Sequence, residues 1–300
     1  MARKIIYLIN PISGTGGKSS LQDLIVRRTR EKQIDFSILP TNAEGNYDFL
    51  IPAIEQEKIT DIVICGGDGT VNAVASALIG TTIRVGIIPM GSGNGLAFAA
   101  GLPKDPSKAL DLIFAGNASW IDGFFINDEF SCMLCGIGFD AEVAHAFALQ
   151  KKRGLQTYVR MILTHFFSGK FYPFSFDPGE NGGFQTEAFF ISIANANQFG
   201  NNFTIAPKAS LKDGLLDIVI VKKMNKLRLL LAVIEQVRGK NPLQGTAGDI
   251  KGKKILYFQT PGLRIRNTEQ APLHIDGEPK ATAPEFTIRV TPRVFQLIQP

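Results

Sequence analysis

Three glycine-rich segments contain the residue types best suited to binding phosphate. "NPISGTGGK" covers residues 10–18, "GGDGT" covers residues 66–70 and "GSGNG" covers residues 91–95. Glycine costs roughly 0.5–1 kcal/mol in ordered structure relative to alanine, so such clusters indicate tight turns or the close approach of a ligand. Backbone N–H groups at the start of a helix bind phosphate without a lysine or arginine beside them. We therefore predict phosphate-binding loops; the alternative is three tight turns without a ligand.

Two well-known phosphate-binding motifs do not match these loops. The pattern G-x-x-x-x-G-K-[ST] needs a glycine at position 12, where the chain has Ile12. The dinucleotide pattern G-x-G-x-x-G needs a last glycine where the chain has Ser19. The prediction therefore depends on where the loops lie in the fold.

The elements around the loops alternate between strands and helices. "KIIYLIN", "DFSILP", "DIVICGG" and "RVGIIPM" have the composition of buried strands. Helices are predicted at residues 18–32, 46–58, 71–78, 95–100 and 106–114. This alternation is typical of a parallel sheet covered by helices on both faces, in which ligands bind at the carboxyl ends of the strands. Each glycine loop follows a strand, so we predict an α/β nucleotide-binding domain over residues 1–119.

The texture of the sequence changes near residue 120. Strand-like runs follow one another, and two helical segments, at residues 141–165 and 225–238, interrupt them. Consecutive strands with short connections predict a mostly antiparallel β domain with sandwich or barrel character, which we assign as a β-sandwich over residues 120–285.

Composition and charge limit the classes of protein and partner. The 300 residues suit two domains, and mean hydropathy is +0.08. A net charge of +5 permits an anionic partner, whereas no run of Lys and Arg exceeds three residues, so no nucleic-acid partner is expected. Three cysteines favour a reducing compartment. Cys132 and Cys135 lack a second pair or a nearby histidine, so we interpret them as core residues rather than zinc ligands. We expect a cytoplasmic protein that could touch a membrane from outside.

The order of these segments resembles one family. "GGDGTVNAV" followed by "PMGSGNGLA" resembles the catalytic domain shared by diacylglycerol, sphingosine and ceramide kinases, including the bacterial soluble lipid kinases. "NPISGTGGK" resembles their first nucleotide loop, "CGIGFDAEV" the opening of their second domain, "SLKDGLLDIVIV" an element of the bacterial members and "HIDGE" their late catalytic motif. These landmarks run in the family's order from Asn10 to Glu278. "GGDGT" alone would also suit NAD kinases and phosphofructokinases.

The resemblance implies a lipid kinase that uses ATP and Mg²⁺ and phosphorylates diacylglycerol, a sphingoid base or a related lipid. It implies that Glu278 is the general base and that Asp68 lies near the metal or the acceptor. A solvated acid after an Asp-Gly turn is the alternative for Glu278. The resemblance implies nucleotide contacts from Asn10, Pro11, Gly14, Gly17, Thr41, Gly66, Gly67, Asp68, Gly69, Thr70, Val71, Asn72 and Ser92, with Lys18 as an optional further contact.

Further roles come from the same resemblance. Asp140 matches the region where sphingosine and ceramide kinases bind the lipid head group with an acid, although diacylglycerol kinases carry the same "FDA" and a structural acid is the alternative. Ser210, Asp213 and the carbonyl of Leu215 match a structural Mg²⁺ site of the bacterial members; a simple Asp-Gly turn is the alternative. Many diacylglycerol kinases have an aspartate where this chain has Gly95, so its loop is nearer the sphingosine-kinase form.

Several expectations concern partners and domain contacts. The resemblance suggests that residues 286–300 return to pack on the first domain. The basic, aromatic-rich residues 151–174 could rest on an anionic membrane, or could be a core helix with a solvated basic end. A homodimer is possible. The competing functions are an NAD kinase or other small-molecule kinase, and a catalytically silent protein that binds nucleotide or lipid.

Overall fold

The computed structural model describes residues 2–9, 18–42, 44–150, 154–179, 182–198, 203–244 and 252–300. The chain divides into two compact units. One is Met1–Asp122 with Arg293–Pro300, and the other is Gly123–Pro292. No helix in the described ranges is both long and apolar enough to cross a membrane.

The first unit is an α/β domain. It contains strands β1 (Lys4–Ile9), β2 (Asp35–Pro40), β3 (Asp61–Gly66) and β4 (Arg84–Pro89) and helices α1 (Lys18–Glu31), α2 (Leu50–Glu57), α3 (Asp68–Ala77), α4 (Gly95–Ala99) and α5 (Pro106–Ala115). The strands pair in parallel in the order β2-β1-β3-β4, which confirms the predicted parallel sheet. Near the end of the chain, Gln296 pairs in parallel with Arg84 of β4.

The register of these strands aligns their carboxyl ends. Ile9 pairs with Pro40 on one side and with Cys65 on the other, and Gly66 pairs with Pro89. All six residues of β3 are buried, as expected for a central strand of a sheet with two covered faces. The loops that follow the four strands therefore begin at one edge of the sheet.

Two helix boundaries differ from the prediction. Helix α3 begins at Asp68, three residues early, because Gly67 is already extended and accepts the N–H of Val71 at 3.0 Å. Helix α2 begins late, at Leu50, because the side chain of Asn46 closes its own turn by accepting the N–H of Asp48 at 2.9 Å.

The amino ends of the strands are joined by charges. The buried carboxylate of Asp61 contacts Arg3 Nε at 2.9 Å and Arg84 at 2.9 Å. Removing one partner of a buried ion pair is strongly destabilising, because the remaining charge loses its compensation. This edge of the sheet therefore contributes stability.

The second unit is mostly antiparallel. It contains strands β6 (Glu129–Ser131), β7 (Leu134–Gly138), β8 (Tyr172–Asp177), β9 (Phe184–Ala194), β10 (Leu216–Lys222), β11 (Ile255–Thr260), β12 (Gly262–Arg266), β13 (Leu273–Ile275) and β14 (Glu278–Lys280) and helices α6 (Phe139–Ala148), α7 (Leu155–Phe166) and α8 (Lys226–Val237). Strands β5 (Ala118–Ile126) and β15 (Glu285–Ile298) run through the division between the units. Strand β9 pairs antiparallel with β7, β8 and β10, in agreement with the predicted fold class.

The predicted single helix over residues 141–165 is wrong, because the structure has two helices, α6 and α7. Gly154, which precedes α7, has a φ of 129°, which favours glycine. Cys132 and Cys135 are both buried, as the core interpretation predicted.

Candidate active site

Two glycines allow the loops after β3 and β4 to touch through their backbones. Met90 N–H donates to the carbonyl of Gly66 at 2.9 Å. A Cβ at Gly67 would lie 3.0 Å from Cα of Gly91, and a Cβ at Gly91 would lie 2.6 Å from Cα of Gly67. No side chain fits at Gly91 without movement, which explains the glycines at these positions. We call residues 66–70 and 91–95 the glycine-loop region.

Asn94 fixes the second of these loops. Its backbone is left-handed, with φ 55° and ψ 43°, a conformation that Asn adopts more readily than most residues. Its side chain accepts the N–H of Gly91 at 2.8 Å and donates to the carbonyl of Gly91 at 2.8 Å. A local turn is thus closed by a buried amide.

Asp68 couples the two loops. Its carboxylate accepts backbone N–H bonds from Asn94, Gly95 and Leu96 at the start of α4. Burial raises the pKa of Asp68 to about 6, and these hydrogen bonds oppose that rise. The donors that begin α4 are thus directed at a carboxylate of the protein. At neutral pH this carboxylate is mostly ionised and can bind a cation.

The first turn of α3 lies where α/β sheets bind ligands. The strand order reverses direction between β1 and β3, and ligands bind outside the carboxyl ends at such a switch point. Gly67 precedes α3, whose N-terminus presents backbone N–H groups and the positive end of the helix dipole. The loop after β1, with Asn10, Pro11, Gly14 and Gly17, lies outside the described residues.

The other predicted nucleotide residues also follow strand ends. Thr41 N–H donates to the carbonyl of Ile9 at 3.1 Å, which joins the ends of β2 and β1. The buried Tyr47 supports this segment, since its hydroxyl accepts the N–H of Asn42 at 3.2 Å. Burial raises the pKa of Tyr47, so the hydroxyl stays protonated. Ser92 is exposed within the glycine-loop region.

In the second unit, a two-residue turn presents Glu278. Asp276 and Gly277 connect β13 to β14 with φ values of 50° and 81°, as in a type I′ hairpin turn. The Asp276 carboxylate accepts from Ser131 Oγ at 2.7 Å and from the N–H of Leu134 at 3.1 Å. Glu278 is exposed as the first residue after the turn. Glu278 is therefore a solvent-exposed acid that follows a hairpin turn, and hydrogen bonds from β6 and β7 hold that turn in place.

A buried histidine supports the same turn from its other side. Gly277 N–H donates to His274 Nδ1 at 3.2 Å, so the ring proton belongs on Nε2. Nε2 lies 3.3 Å from Asp140 Oδ2. Burial raises the pKa of Asp140, and the contact with His274 opposes that rise. A chain of contacts therefore runs from Asp140 through His274 to the backbone beside Glu278.

Gly136 makes room for this pair. A Cβ there would lie 2.0 Å from Asp140 Oδ2 and 2.5 Å from His274 Nε2. Sequence reasoning named Asp140 and Glu278 but not Gly136, Ser131 or His274. The histidine inside "HIDGE" was the available signal.

The segment before β10 contains the predicted structural cation ligands. Leu215 N–H donates to Asp213 Oδ1 at 3.1 Å. Burial, and to a smaller extent the charge of Asp213, raise the pKa of the nearby Asp217 to about 6, against hydrogen bonds with Gln259 and Tyr257 that lower it. Oxygen donors with excess negative charge suit a hard cation, so the residues fit Mg²⁺. Within the described ranges, no group of three or more His, Cys, Asp or Glu side chains could hold a metal, so main-chain oxygens would have to complete such a site.

Comparisons with known proteins agree with both units. Residues 4–125 match the model of the diacylglycerol kinase catalytic domain, and residues 134–299 match that of the YegS C-terminal NAD kinase beta sandwich-like domain. A "Probable lipid kinase YegS-like" of Chromohalobacter salexigens is 27% identical over 85% of this chain and 81% of its own length. Another, of Citrobacter koseri, is 28% identical over 89% of this chain and 87% of its own length.

Solved structures share the fold. One described as a diacylglycerol kinase from Bacillus anthracis strain Sterne has a TM-score of 0.73 at 19% identity and covers 99% of this chain and 97% of that chain. A second structure from that strain has a TM-score of 0.79 at 21% identity, over 99% and 96% of the two chains. At these identities the likeness concerns the fold alone.

Proposed function

Because the chain belongs to the family that joins a diacylglycerol kinase catalytic domain to a YegS C-terminal domain, we propose that it is a lipid kinase. It transfers the γ-phosphate of ATP, with Mg²⁺, to a hydroxyl of diacylglycerol, a sphingoid base or a related lipid. The observation that carries the proposal is the glycine-loop region, whose first segment follows β3 beside the switch point of the parallel sheet. The names of the curated relatives support a lipid acceptor.

The nucleotide would be held mainly by backbone groups. The N-terminus of α3 supplies N–H donors and a favourable dipole for phosphate oxygens. Within the described residues, the proposed nucleotide contacts are Thr41, Gly66, Gly67, Asp68, Gly69, Thr70, Val71, Asn72 and Ser92. Asn10, Pro11, Gly14 and Gly17 remain predictions from the sequence.

Two groups of oxygen donors would hold Mg²⁺. Asp68 would hold the ion that accompanies the nucleotide, since its carboxylate is mostly ionised at neutral pH. When bound, that ion neutralises charge on the transferring phosphoryl group. Ser210, Asp213 and the carbonyl of Leu215 would hold a structural ion, supported by the concentration of negative charge at Asp213 and Asp217.

Glu278 would act as general base. Its carboxylate accepts the proton of the lipid hydroxyl while that oxygen bonds to the γ-phosphorus, and the bond from phosphorus to the β-phosphate oxygen breaks to release ADP. A carboxylate within hydrogen-bond reach of the hydroxyl is suited to this task. The anchored Asp276–Gly277 turn supports the role, because it limits the positions that the Glu278 backbone can take.

We infer that His274 is a positioning residue for Glu278. It accepts the N–H of Gly277, and Asp140 keeps its ring in the required tautomer. The Asp140 carboxylate is buried beside His274, which supports the structural-acid alternative for this residue, and its contact with the lipid head group stays a prediction from the sequence. Loss of the contact between His274 and Gly277 would loosen the turn without touching the nucleotide loops.

One alternative keeps specific support. The second family model is described as NAD kinase beta sandwich-like, and NAD also offers a hydroxyl acceptor. A silent binding protein is disfavoured, because it would have no need to keep both Asp68 and Glu278. The discriminating experiment is transfer from γ-labelled ATP to a panel of diacylglycerol, monoacylglycerol, sphingosine, ceramide and NAD. Label in a lipid supports the proposal, label in NAD alone replaces it and label in none refutes it.

A further inference from the structure

Helix α8 exposes a row of apolar side chains. Leu229, Ala232 and Gln236 face the protein interior. Leu227, Leu230, Leu231 and Ile234 are exposed on a different side. The spacing of three and four residues places this second set on one face of the helix. Leu227 is 69% exposed and Leu231 56% exposed, so α8 is apolar on both its inner and its outer side.

Helix α7 and the residue after it repeat the pattern. Val159, Leu163 and Phe167 are exposed at intervals of four residues, whereas Met161 is buried. Leu163 is 66% exposed and Phe167 80% exposed. Scattered exposed apolar residues are normal, but an ordered row on each of two helices indicates a surface that contacts something else.

Lys226 joins the two helices. As the first residue of α8, it donates from Nζ to the carbonyl of Phe166 at 2.8 Å and to that of Gly169 at 2.9 Å. The ammonium also lies 4.1 Å from the centroid of the Phe189 ring. A cation at the carbonyl end of a helix is stabilising, so the end of α7 is held against the start of α8. Phe167 and Leu227 are therefore both next to this shared contact.

The charges around these rows are mostly positive. Arg228, Arg238 and Lys240 are exposed on or just after α8, and Arg160 is exposed on α7. Glu235 is the one acid in the sequence of α8, and α7 has none. Positive charge would repel a second copy of the same face but attracts anionic lipid head groups, at which apolar side chains can insert.

We propose that the outer face of α7 and α8, called here the α7–α8 face, docks on an anionic lipid bilayer. The inference rests on the proposed function, since a lipid kinase has to collect its acceptor from a membrane. It extends the contact predicted for residues 151–174 to α8, which the sequence did not single out. The leucines insert at the interface, and the basic residues set the preference for negative head groups.

The test is co-sedimentation of the full chain with vesicles of phosphatidylcholine, with and without phosphatidylglycerol. We expect binding to the mixed vesicles that weakens with salt, and little binding to phosphatidylcholine alone. Leu231→Gln should weaken binding roughly tenfold, and Leu227→Gln with Leu231→Gln by more. Glu235→Gln is the matched control: it creates the same residue on the same helix but removes a negative charge, so binding should be kept or strengthened.

Two further readings make the result decisive. The double variant should keep the wild-type unfolding temperature and the wild-type rate on a dispersed short-chain diacylglycerol. Wild-type protein that stays in the supernatant, or a folded double variant that binds as wild type, overturns the proposal. If the double variant has a lower molecular mass in solution than the wild type by light scattering, and still binds vesicles, the α7–α8 face is a self-association surface instead. Failure of the wild type on every dispersed lipid of the acceptor panel, with intact vesicle binding, would count against the kinase function alone.

Discussion

The glycine-loop region and the Asp276–Gly277 turn reach fixed geometry by opposite means. In the loops, Gly67 meets Gly91 through bare backbone, and Asn94 closes its turn on a residue three positions earlier. The turn instead depends on side chains from distant segments, such as Ser131, which is 145 positions from Asp276. The difference indicates that substitutions in the loops act through space and backbone, whereas substitutions near the turn act through single hydrogen bonds.

The largest effect on turnover should come from Glu278. General-base assistance typically contributes about 10²–10⁴-fold, so Glu278→Gln should lower kcat by about that factor. Affinity for ADP should stay at the wild-type value, because this role does not involve the nucleotide. Steady-state transfer to the preferred lipid measures the first quantity, and calorimetry measures the second.

The exposed Glu269 provides a control for that variant. Glu269→Gln removes an equal charge from the same unit and should leave kcat unchanged. Near-normal turnover by Glu278→Gln on the true acceptor would rule out the base assignment.

Replacing His274 should lower kcat by less than Glu278→Gln does, and an asparagine at this position should restore part of the loss. His274→Leu leaves the N–H of Gly277 without its side-chain acceptor, and the net loss of such a hydrogen bond is about 0.5–1.5 kcal/mol, which corresponds to roughly twofold to tenfold in kcat if the turn carries the base. The KM for ATP should not change. His274→Asn offers an amide oxygen to the same N–H and should recover part of the rate. Equal losses in both variants, or a rise in the KM for ATP, would argue against positioning.

Gly136 tests the packing around the same pair. A methyl group there would meet the Asp140 carboxylate, and overpacking a filled site typically costs about 1–3 kcal/mol in the free energy of unfolding. Denaturant unfolding of Gly136→Ala measures this loss. In a protein that already carries Asp140→Ala, adding Gly136→Ala should lower the free energy of unfolding by less than it does in the wild type, because the clashing carboxylate oxygen is absent. Additive effects of the two changes would contradict the predicted contact.

The smallest effect concerns the pH dependence of stability. The pKa of Asp68 is raised from 3.8 to about 6 in the folded protein, so the folded state binds the proton more tightly than the unfolded state. Its contribution to stability is fully present below about pH 4 and is lost as the pH rises through about 6. The unfolding temperature of Asp68→Asn minus that of the wild type should therefore be larger above pH 6 than at pH 4. A wild-type advantage that grows with pH would reverse the sign of this assignment.

The sequence predicted the glycine-loop region better than it predicted the Asp276–Gly277 turn and its partners. Glycines after apolar strand runs identify the strand ends, and strand alternation identifies a parallel sheet, so the placement of Gly67 followed from local patterns. The partners of Asp68 and the chain from Asp140 to His274 join residues far apart in sequence. Local periodicity has no information about such pairs, and only the strand register brings Gly136 opposite His274. The exposure of the α8 leucines could not be predicted either, because an apolar helix pattern does not show which face of the helix packs against the protein.

The central claim is that the glycine-loop region binds the nucleotide phosphates through its backbone. Gly69 is exposed in the first turn of α3, so a valine there should leave the fold intact while it blocks the approach of phosphate. The direct measurement is calorimetric titration of ADP with Mg²⁺ into wild type and into Gly69→Val, with unfolding curves for both. We expect binding by the wild type and none by the folded variant. Unchanged ADP affinity in a folded Gly69→Val protein would contradict the claim.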